Sequence, residues 1–426
     1  MNDRDSEIMA QLLSDAYQPA LNAEQADVVL VNTCSIRQKA EQKAMSLLGC
    51  LKLLKKKKPG MVIGVVGCVA QQEGEALLAR LPYVDLVMGT QNIYNLPVLL
   101  NEIICDHKKI AAVEQSSAFE IPPYLPNMEQ GPHHKRFVTI MQGCNNFCTY
   151  CVVPYTRGRE VSRKFQDILS EARHLVEHGV KEITLLGQNV NSYGRDMRDG
   201  QTFADLLRAV AEIKGLQRLR FTTSNPRDLN DELISCFAEL DLLCPHFHLP
   251  VQSGSNMVLK SMNRHYTIET YLDLVKRLRA ARPDIALTTD IIVGFPGETE
   301  EDFQATMDLV ANIRYHGAYS FKYSDRPQAK SVSFAGKLAE DVKGERLAGL
   351  QKRINRIVLE RNHEYIGKIE QVMVEGKSRA QHDQWSGRTG SNHIVNFTAN
   401  QALQPGQIVT VEITEACLHS LRGTLK

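Results

Sequence analysis

Residues 6–17 carry apolar side chains at Ile8, Met9, Leu12 and Leu13, the spacing of one helical face. Residues 26–31 then make a short β-branched run of the kind found in a strand buried on both sides. A second helical stretch, 38–58, ends in consecutive lysines from Lys55 to Lys58, cations suited to the negative end of a helix dipole, with Pro59 and Gly60 beyond. Residues 61–66 are the next buried strand. Strand, helix and strand of these lengths form a βαβ unit and predict a doubly wound α/β domain over residues 1–112.

The period is then lost. Residues 113–134 are polar, with Pro122, Pro123, Pro126 and Pro132, and read as an interdomain linker. From Lys135 onward strands and helices alternate again. Candidate strands are 137–141, 182–186, 218–223, 246–249, 286–293 and 318–323, with helices at 165–178, 204–213 and 268–281 among those between. About six βα repeats predict a partial (β/α)6 barrel over 135–362, with its chemistry at the carboxyl ends of the strands. A charged helix, 340–365, closes that domain. Residues 363–426 hold short β-rich runs (369–375, 393–397, 407–414) separated by Gly and Pro, the pattern of a small all-β barrel.

The composition is that of an ordinary globular chain: 426 residues, 43% hydrophobic, 23% charged. Fifty Lys and Arg against 49 Asp and Glu leave a net charge of +1, so global charge names no partner. No apolar run is long enough to span a bilayer, and Met1-Asn2-Asp3-Arg4-Asp5 does not resemble an export signal. A cytoplasmic, monomeric protein with no membrane association is expected. In such a reducing compartment its ten cysteines are better suited to hold metal than to form disulfides.

The strongest chemical signal is Gly143-Cys144-Asn145-Asn146-Phe147-Cys148-Thr149-Tyr150-Cys151, a C-x3-C-x2-C triplet just after a predicted barrel strand. A structural zinc site normally needs four ligands, and no fourth Cys or His lies nearby. A [4Fe–4S] cluster on three soft thiolates leaves one iron open. A zinc loop or buried thiols are the alternatives. The triplet resembles that of the radical S-adenosylmethionine (SAM) proteins. The resemblance implies that SAM chelates the open iron and is cleaved there to a 5′-deoxyadenosyl radical. Gly187, Gln188 and Asn189, ending a barrel strand, resemble that superfamily's site for SAM's amino group. The run from Asp290 to Thr299, including Gly294, resembles its adenine and ribose strand. Gly and a side-chain amide suit close approach and hydrogen bonding.

Cys34 follows the first predicted strand and Cys68 the second, so both should emerge at one carboxyl edge of the N-terminal sheet as a second metal site. Asn-Thr-Cys-Ser-Ile-Arg, Gly-Cys-Val-Ala-Gln and the triplet followed by Tyr155-Thr156-Arg157-Gly158-Arg159-Glu160 look like the methylthiotransferases, and most like their tRNA-modifying, MiaB-type branch. The resemblance spans the chain: a methylthiotransferase N-terminal domain, a radical SAM barrel and a TRAM domain. It implies two [4Fe–4S] clusters, on Cys144, Cys148 and Cys151 and on Cys34 and Cys68. It also implies SAM, tRNA, and an electron donor such as a flavodoxin or ferredoxin. The expected product is a methylthio group on carbon 2 of isopentenyladenosine at position 37, next to the anticodon. The family's third N-terminal cysteine lies in Gly-Cys-Gln-Met-Asn, and this sequence begins at that Met-Asn. The third ligand is therefore expected two residues before Met1. Cys50, Cys105, Cys236, Cys244 and Cys417 read as packing residues.

For RNA, residues 135–164 hold six basic side chains, among them Arg157, Arg159 and Arg163, against Glu160 alone. This cluster is expected to hold phosphates beside the cysteine loop. In the C-terminal segment Lys377, Arg379 and Arg388 are further candidates, and Trp385 is either a stacking platform or core. Competing readings are the same chemistry on threonylcarbamoyladenosine tRNA or a ribosomal protein, a zinc-dependent RNA-binding module without catalysis, and a simple electron carrier.

Overall fold

A computed structural model describes residues 1–35, 38–128, 133–378 and 383–426. In the first part, helix α1 (Asn2–Leu13) precedes a four-stranded parallel sheet. Its strands are β1 (Val28–Thr33), β2 (Val62–Gly67), β3 (Leu86–Met88) and β4 (Ile110–Ala112), in that order across the sheet. Helices α2 (Gln38–Lys57), α3 (Cys68–Glu73), α4 (Glu75–Arg80) and α5 (Leu96–Asp106) lie between them. Side chains alternate across the sheet, so both faces need cover. Leu48, Leu51 and Leu77 pack with Ile63 and Val65 on one face, and Ile8, Leu100 and Ile103 pack with Val62 and Val66 on the other.

Residues 113–128 have no regular element, yet they form a packed strap. Ile121 is buried, Leu125 O accepts from Gln11 Nε2 at 2.8 Å, and the Tyr124 ring lies 4.3 Å beneath the Arg4 guanidinium.

The central part holds two three-stranded parallel sheets, β5-β8-β9 and β10-β11-β12. They comprise β5 (Lys135–Thr139), β8 (Glu182–Leu186), β9 (Arg218–Thr222), β10 (His246–His248), β11 (Ala286–Val293) and β12 (Gly317–Lys322). A short antiparallel pair, β6 (Met141–Gln142) and β7 (Val161–Ser162), brackets the cysteine loop and helix α6 (Val153–Thr156). A parallel bridge from Leu219 to Leu243 continues the curve from one sheet toward the other, giving a six-stranded open barrel. Its outer face packs on helices α7 (Phe165–Glu177), α8 (Phe203–Ala211), α9 (Asp231–Glu239), α10 (Asn256–Ser261), α11 (Ile268–Ala281), α12 (Glu300–Ile313) and α13 (Glu340–His363) in one continuous core.

The last part is a closed five-stranded barrel of β13 (Ile369–Lys377), β14 (Trp385–Thr389), β15 (Ile394–Thr398), β16 (Ile408–Ala416) and β17 (Leu421–Leu425). It sits against the amino ends of the central strands. Arg218 donates to Arg388 O and Gln371 O, both at 2.7 Å, and Arg220 donates to Gly390 O and Thr389 O at 2.9 and 2.8 Å. Carbonyls that would lack partners at such a junction are thereby satisfied. No described helix is long and apolar enough to cross a membrane.

Candidate functional site

The three cysteines form a loop that leaves the central barrel at the carboxyl end of β5. The loop must turn back on itself. Gly143 does so at φ 82°, where a Cβ would lie 1.9 Å from Arg159 O, so only glycine fits. Two neighbours fix the loop. Gly143 N donates to Gln188 Oε1 at 2.6 Å. On the other side Thr149 N donates to Met262 O at 3.1 Å, and Asn263 Nδ2 donates to Phe147 O at 3.1 Å. Each sulfur receives one N–H: Asn146 Nδ2 on Cys144 (3.5 Å), Arg264 Nη1 on Cys148 (3.3 Å) and the Val153 amide on Cys151 (3.5 Å). Cys148 and Cys151 also line a cleft of about 600 Å³ with Tyr155, Met257, Lys260 and Lys330.

N–H donors aimed at three sulfurs suit thiolates carrying a cluster, because outer hydrogen bonds orient ligands and stabilise their charge. Without metal, burial pushes the Cys144 thiol up to about 11. Burial, and then the charge on Cys148, push the Cys151 thiol up to about 12. Both are protonated at neutral pH, so metal binding must release protons. Among the described residues no three Cys, His, Asp or Glu side chains converge to grip a single ion.

The strand ends at Gly187–Asn189 and Gly294 behave differently from each other. Gln188 binds the cysteine loop itself. Asn189 is buried, donating to Asp228 Oδ2 at 2.7 Å, while its Oδ1 has no partner among the described residues and is left as an acceptor at the carboxyl end of β8. Gly187 faces Met141, whose Cγ would be 2.5 Å from a Cβ there. Gly294 turns at φ 72° against α13, where a Cβ would meet Lys343 Cγ at 2.2 Å. Its lack of a side chain serves helix packing, a role not legible in the sequence.

The N-terminal pair stands at adjoining strand ends. Thr33 pairs with Gly67 at the ends of β1 and β2, and Cys34 and Cys68 are the residues that follow each strand, Cys68 opening α3. Asn2 Nδ2 donates to Thr33 O at 2.9 Å, which brings the start of α1 to the same edge. That edge faces the cysteine loop through α6: Thr90 Oγ1 donates to Thr156 O at 2.7 Å, and Arg157 reaches Asp5 at 2.6 Å.

A profile of the radical SAM superfamily matches residues 138–310, the Uncharacterized protein family UPF0004 matches 1–89, and the TRAM domain matches 363–426. The tRNA-2-methylthio-N(6)-dimethylallyladenosine synthase of Desulfotalea psychrophila is 53% identical over 100% of this chain and 96% of its own length. The enzyme of that name from Geotalea uraniireducens is 49% identical over 100% and 96%. The chain belongs to the radical SAM methylthiotransferases. Such proteins work with an iron–sulfur cluster and SAM, and the thiol geometry above fits that group. Among solved structures, the radical SAM methyltransferase TsrM from Kitasatospora setae shares the fold, with a TM-score of 0.56 at 14% identity over 77% of this chain and 70% of its own.

In this methylthiotransferase the inner barrel face is polar and aromatic. The registers put His248, Thr288, Asp290 and Tyr319 on the side opposite the apolar core. His248 Nε2 lies 3.4 Å from Asp290 Oδ2, and its ring meets that of Tyr319 edge to face at 6.1 Å. Tyr319 is 58% exposed. Of these, Asp290 opened the run that the sequence singled out, whereas His248, Thr288 and Tyr319 were missed. The alternation along β10, β11 and β12 was their only signal, and it gives no side a meaning until the barrel closes. Arg264 was missed too, because it lies in a turn with no period.

The basic cluster of 135–164 comes apart in the fold, which corrects the expectation of a phosphate-binding patch there. Arg157 and Arg163 are buried, the first on Asp5 and the second on Glu171, which also takes Arg4. Burial opposes the charge on Arg157, but Asp5 and then Cys68 outweigh it, so the guanidinium is held charged above its ordinary range. Arg136 is buried beside Glu7, and Lys135 pairs with Glu375 at 2.5 Å. Neither Arg157 nor Arg163 is open to RNA. Arg159 is exposed, its guanidinium 4.2 Å over the Phe147 ring. Lys377 lies 4.1 Å over Trp385, which belongs to the small barrel's core and is no open stacking platform. Arg388 is one-third exposed and pairs with Glu375 at 3.3 Å. Arg379 lies outside the described residues.

Proposed function

We propose that this protein adds a methylthio group to carbon 2 of N6-dimethylallyladenosine at position 37 of tRNA. The observation that carries this reading is identity near one half, over the whole chain, to synthases named for that product. Cys144, Cys148 and Cys151 are proposed to hold the cluster that binds SAM, with Asn189 Oδ1 as acceptor for SAM's ammonium. Cys34 and Cys68 are proposed as ligands of a second cluster that supplies sulfur.

When bound, the first cluster with SAM supplies one-electron cleavage of a sulfonium, and so hydrogen abstraction from an aromatic C–H too weakly acidic for a base. The chain's residues do the rest. Asn263, Thr149 and Gln188 keep the cysteine loop in one shape. His248, Asp290 and Tyr319 offer an adenine an edge acceptor and a stacking face inside the barrel. Arg157 ties the two cysteine sites into one body, so that distance between them is fixed. Arg159, Lys377 and Arg388 are the proposed phosphate contacts, and the electron comes from a small flavodoxin-like or ferredoxin-like carrier. The protein acts as a cytoplasmic monomer.

The test is mass spectrometry of tRNA nucleosides from a strain lacking the gene. The reading expects loss of the methylthio form and accumulation of N6-dimethylallyladenosine. An unchanged methylthio-dimethylallyladenosine peak refutes it. Loss of a methylthio-threonylcarbamoyl nucleoside instead would move the activity to that substrate.

A further inference from the structure

Arg264 lies in the turn between α10 and α11, flanked by Asn263 and His265, both in the left-handed region at φ 60° and 59°. Phe147, on the cysteine loop facing this turn, is left-handed as well, at φ 48°. Three non-glycine residues in that conformation at one contact cost stability, and they persist only where surrounding structure imposes them. What this backbone achieves is the burial of Arg264, which is only 6% exposed.

The guanidinium is fully engaged with neutral groups. Nε donates to Tyr266 OH at 3.0 Å, and Nη2 donates to Pro250 O at 3.1 Å and Asn225 Oδ1 at 3.4 Å. Nη1 points at Tyr150 OH, 3.5 Å away, and at Cys148 Sγ, 3.3 Å away. Among the described residues no carboxylate pairs with it; its electrostatic neighbours are two tyrosines and a cysteine. Other buried arginines in the chain have acids: Arg4 and Arg163 share Glu171, Arg157 has Asp5, and Arg346 has Glu298. A buried cation without an anion is strongly disfavoured. The ionisable groups in contact are two tyrosine hydroxyls and the Cys148 sulfur, and of these it is the sulfur that binds metal as an anion.

We propose that Arg264 is the counter-charge of the cluster on Cys144, Cys148 and Cys151, and that its N–H···S bond raises that cluster's reduction potential. The inference rests on the cluster reading above. The step concerned is the addition of one electron, from dithionite or a protein donor, to the oxidised cluster, with no proton transferred. A fixed positive charge beside one thiolate stabilises the added electron, and hydrogen bonds to cluster sulfurs act in the same sense. Arg264 touches a ligand and acts through it, which makes it a positioning and tuning residue.

The test is an anaerobic redox titration of the reconstituted full chain, followed by electron paramagnetic resonance. It is done in a Cys34→Ala, Cys68→Ala background so that the barrel cluster alone responds. Arg264→Gln is expected to hold wild-type iron and sulfide and to titrate lower. The expected change is at least tenfold in the reduced-to-oxidised ratio at a given potential, about 59 mV for one electron. Arg264→Lys, which keeps the charge, should fall between. A cluster of unchanged potential in Arg264→Gln overturns the inference. Absence of any iron–sulfur signal in the parent protein instead overturns the cluster reading. Should Arg264→Gln fail to fold, the parent labelled with nitrogen-15 arginine decides: pulsed resonance of its reduced cluster should show a nitrogen coupling, and its absence overturns the proposal.

Discussion

Arg157, just beyond the cysteine triplet, lies 2.6 Å from Asp5 on the first helix, with both side chains under one-tenth exposed. The pair crosses from the central barrel to the N-terminal domain, and Arg157 also faces Cys68. The two cysteine sites are therefore held together by a buried charge pair rather than by a flexible connection.

Removing one half of that pair leaves a buried, uncompensated charge. Asp5→Ala should destabilise the protein by about 3–5 kcal/mol. Denaturant unfolding measures the loss. Hydrogen exchange should quicken first in α1 and α6, and equal protection there in the variant would mean the pair does not join the domains.

The two cysteine sets should fail in different ways. Cys148→Ala should lose the barrel's iron and produce no 5′-deoxyadenosine from SAM. Cys34→Ala with Cys68→Ala should keep SAM cleavage and lose methylthio transfer. Iron analysis and chromatography of SAM products separate the cases, and methylthio transfer surviving in the double variant would remove the second site from the mechanism.

Tyr319 tests the substrate face. Base stacking on an aromatic ring contributes about 1–3 kcal/mol. Tyr319→Ala should raise the KM for tRNA about tenfold or more, while Tyr319→Phe stays near wild type. SAM binding, measured calorimetrically, should not change. If it weakens in step with tRNA binding, the residue supports the SAM site rather than the base.

Two histidines at the seam between β12 and the small barrel set a pH limit. Burial, with Arg361 and His393 adding, lowers His316 to about 3, and burial lowers His393 to about 4; their rings are 5.9 Å apart. His316 Nδ1 accepts the Leu287 amide at 3.2 Å, which requires a neutral ring. Because the folded values lie below the unfolded one near 6.5, the unfolded chain binds the extra protons. Stability is complete above about pH 6.5 and falls as pH drops toward 4, by about 2 kcal/mol per histidine at pH 5. Melting curves at pH 7 and pH 5 should show this loss, and His316→Gln should flatten it. An equal loss in the variant would place the pH sensitivity elsewhere.

Much of this protein is local, and so is legible in its residues. The triplet at 144–151 carries its chemistry in spacing alone. Cys34 and Cys68 are placed by strands whose β-branched runs identify them, and register then makes them neighbours. The three-part order follows from periods of 3.6 and 2 that each segment keeps without help from the others. Long-range contact decided the rest. The stretch 135–164 is rich in arginine in either description, but only folding shows that Arg157 and Arg163 meet Asp5 and Glu171 inside the molecule while Arg159 stays outside. Arg264 reaches Cys148 across 116 residues of chain. Charge, burial and hydrogen bonding belong to pairs of residues. A sequence lists the partners without saying which of them will share a dry interior, and the tertiary structure makes that choice.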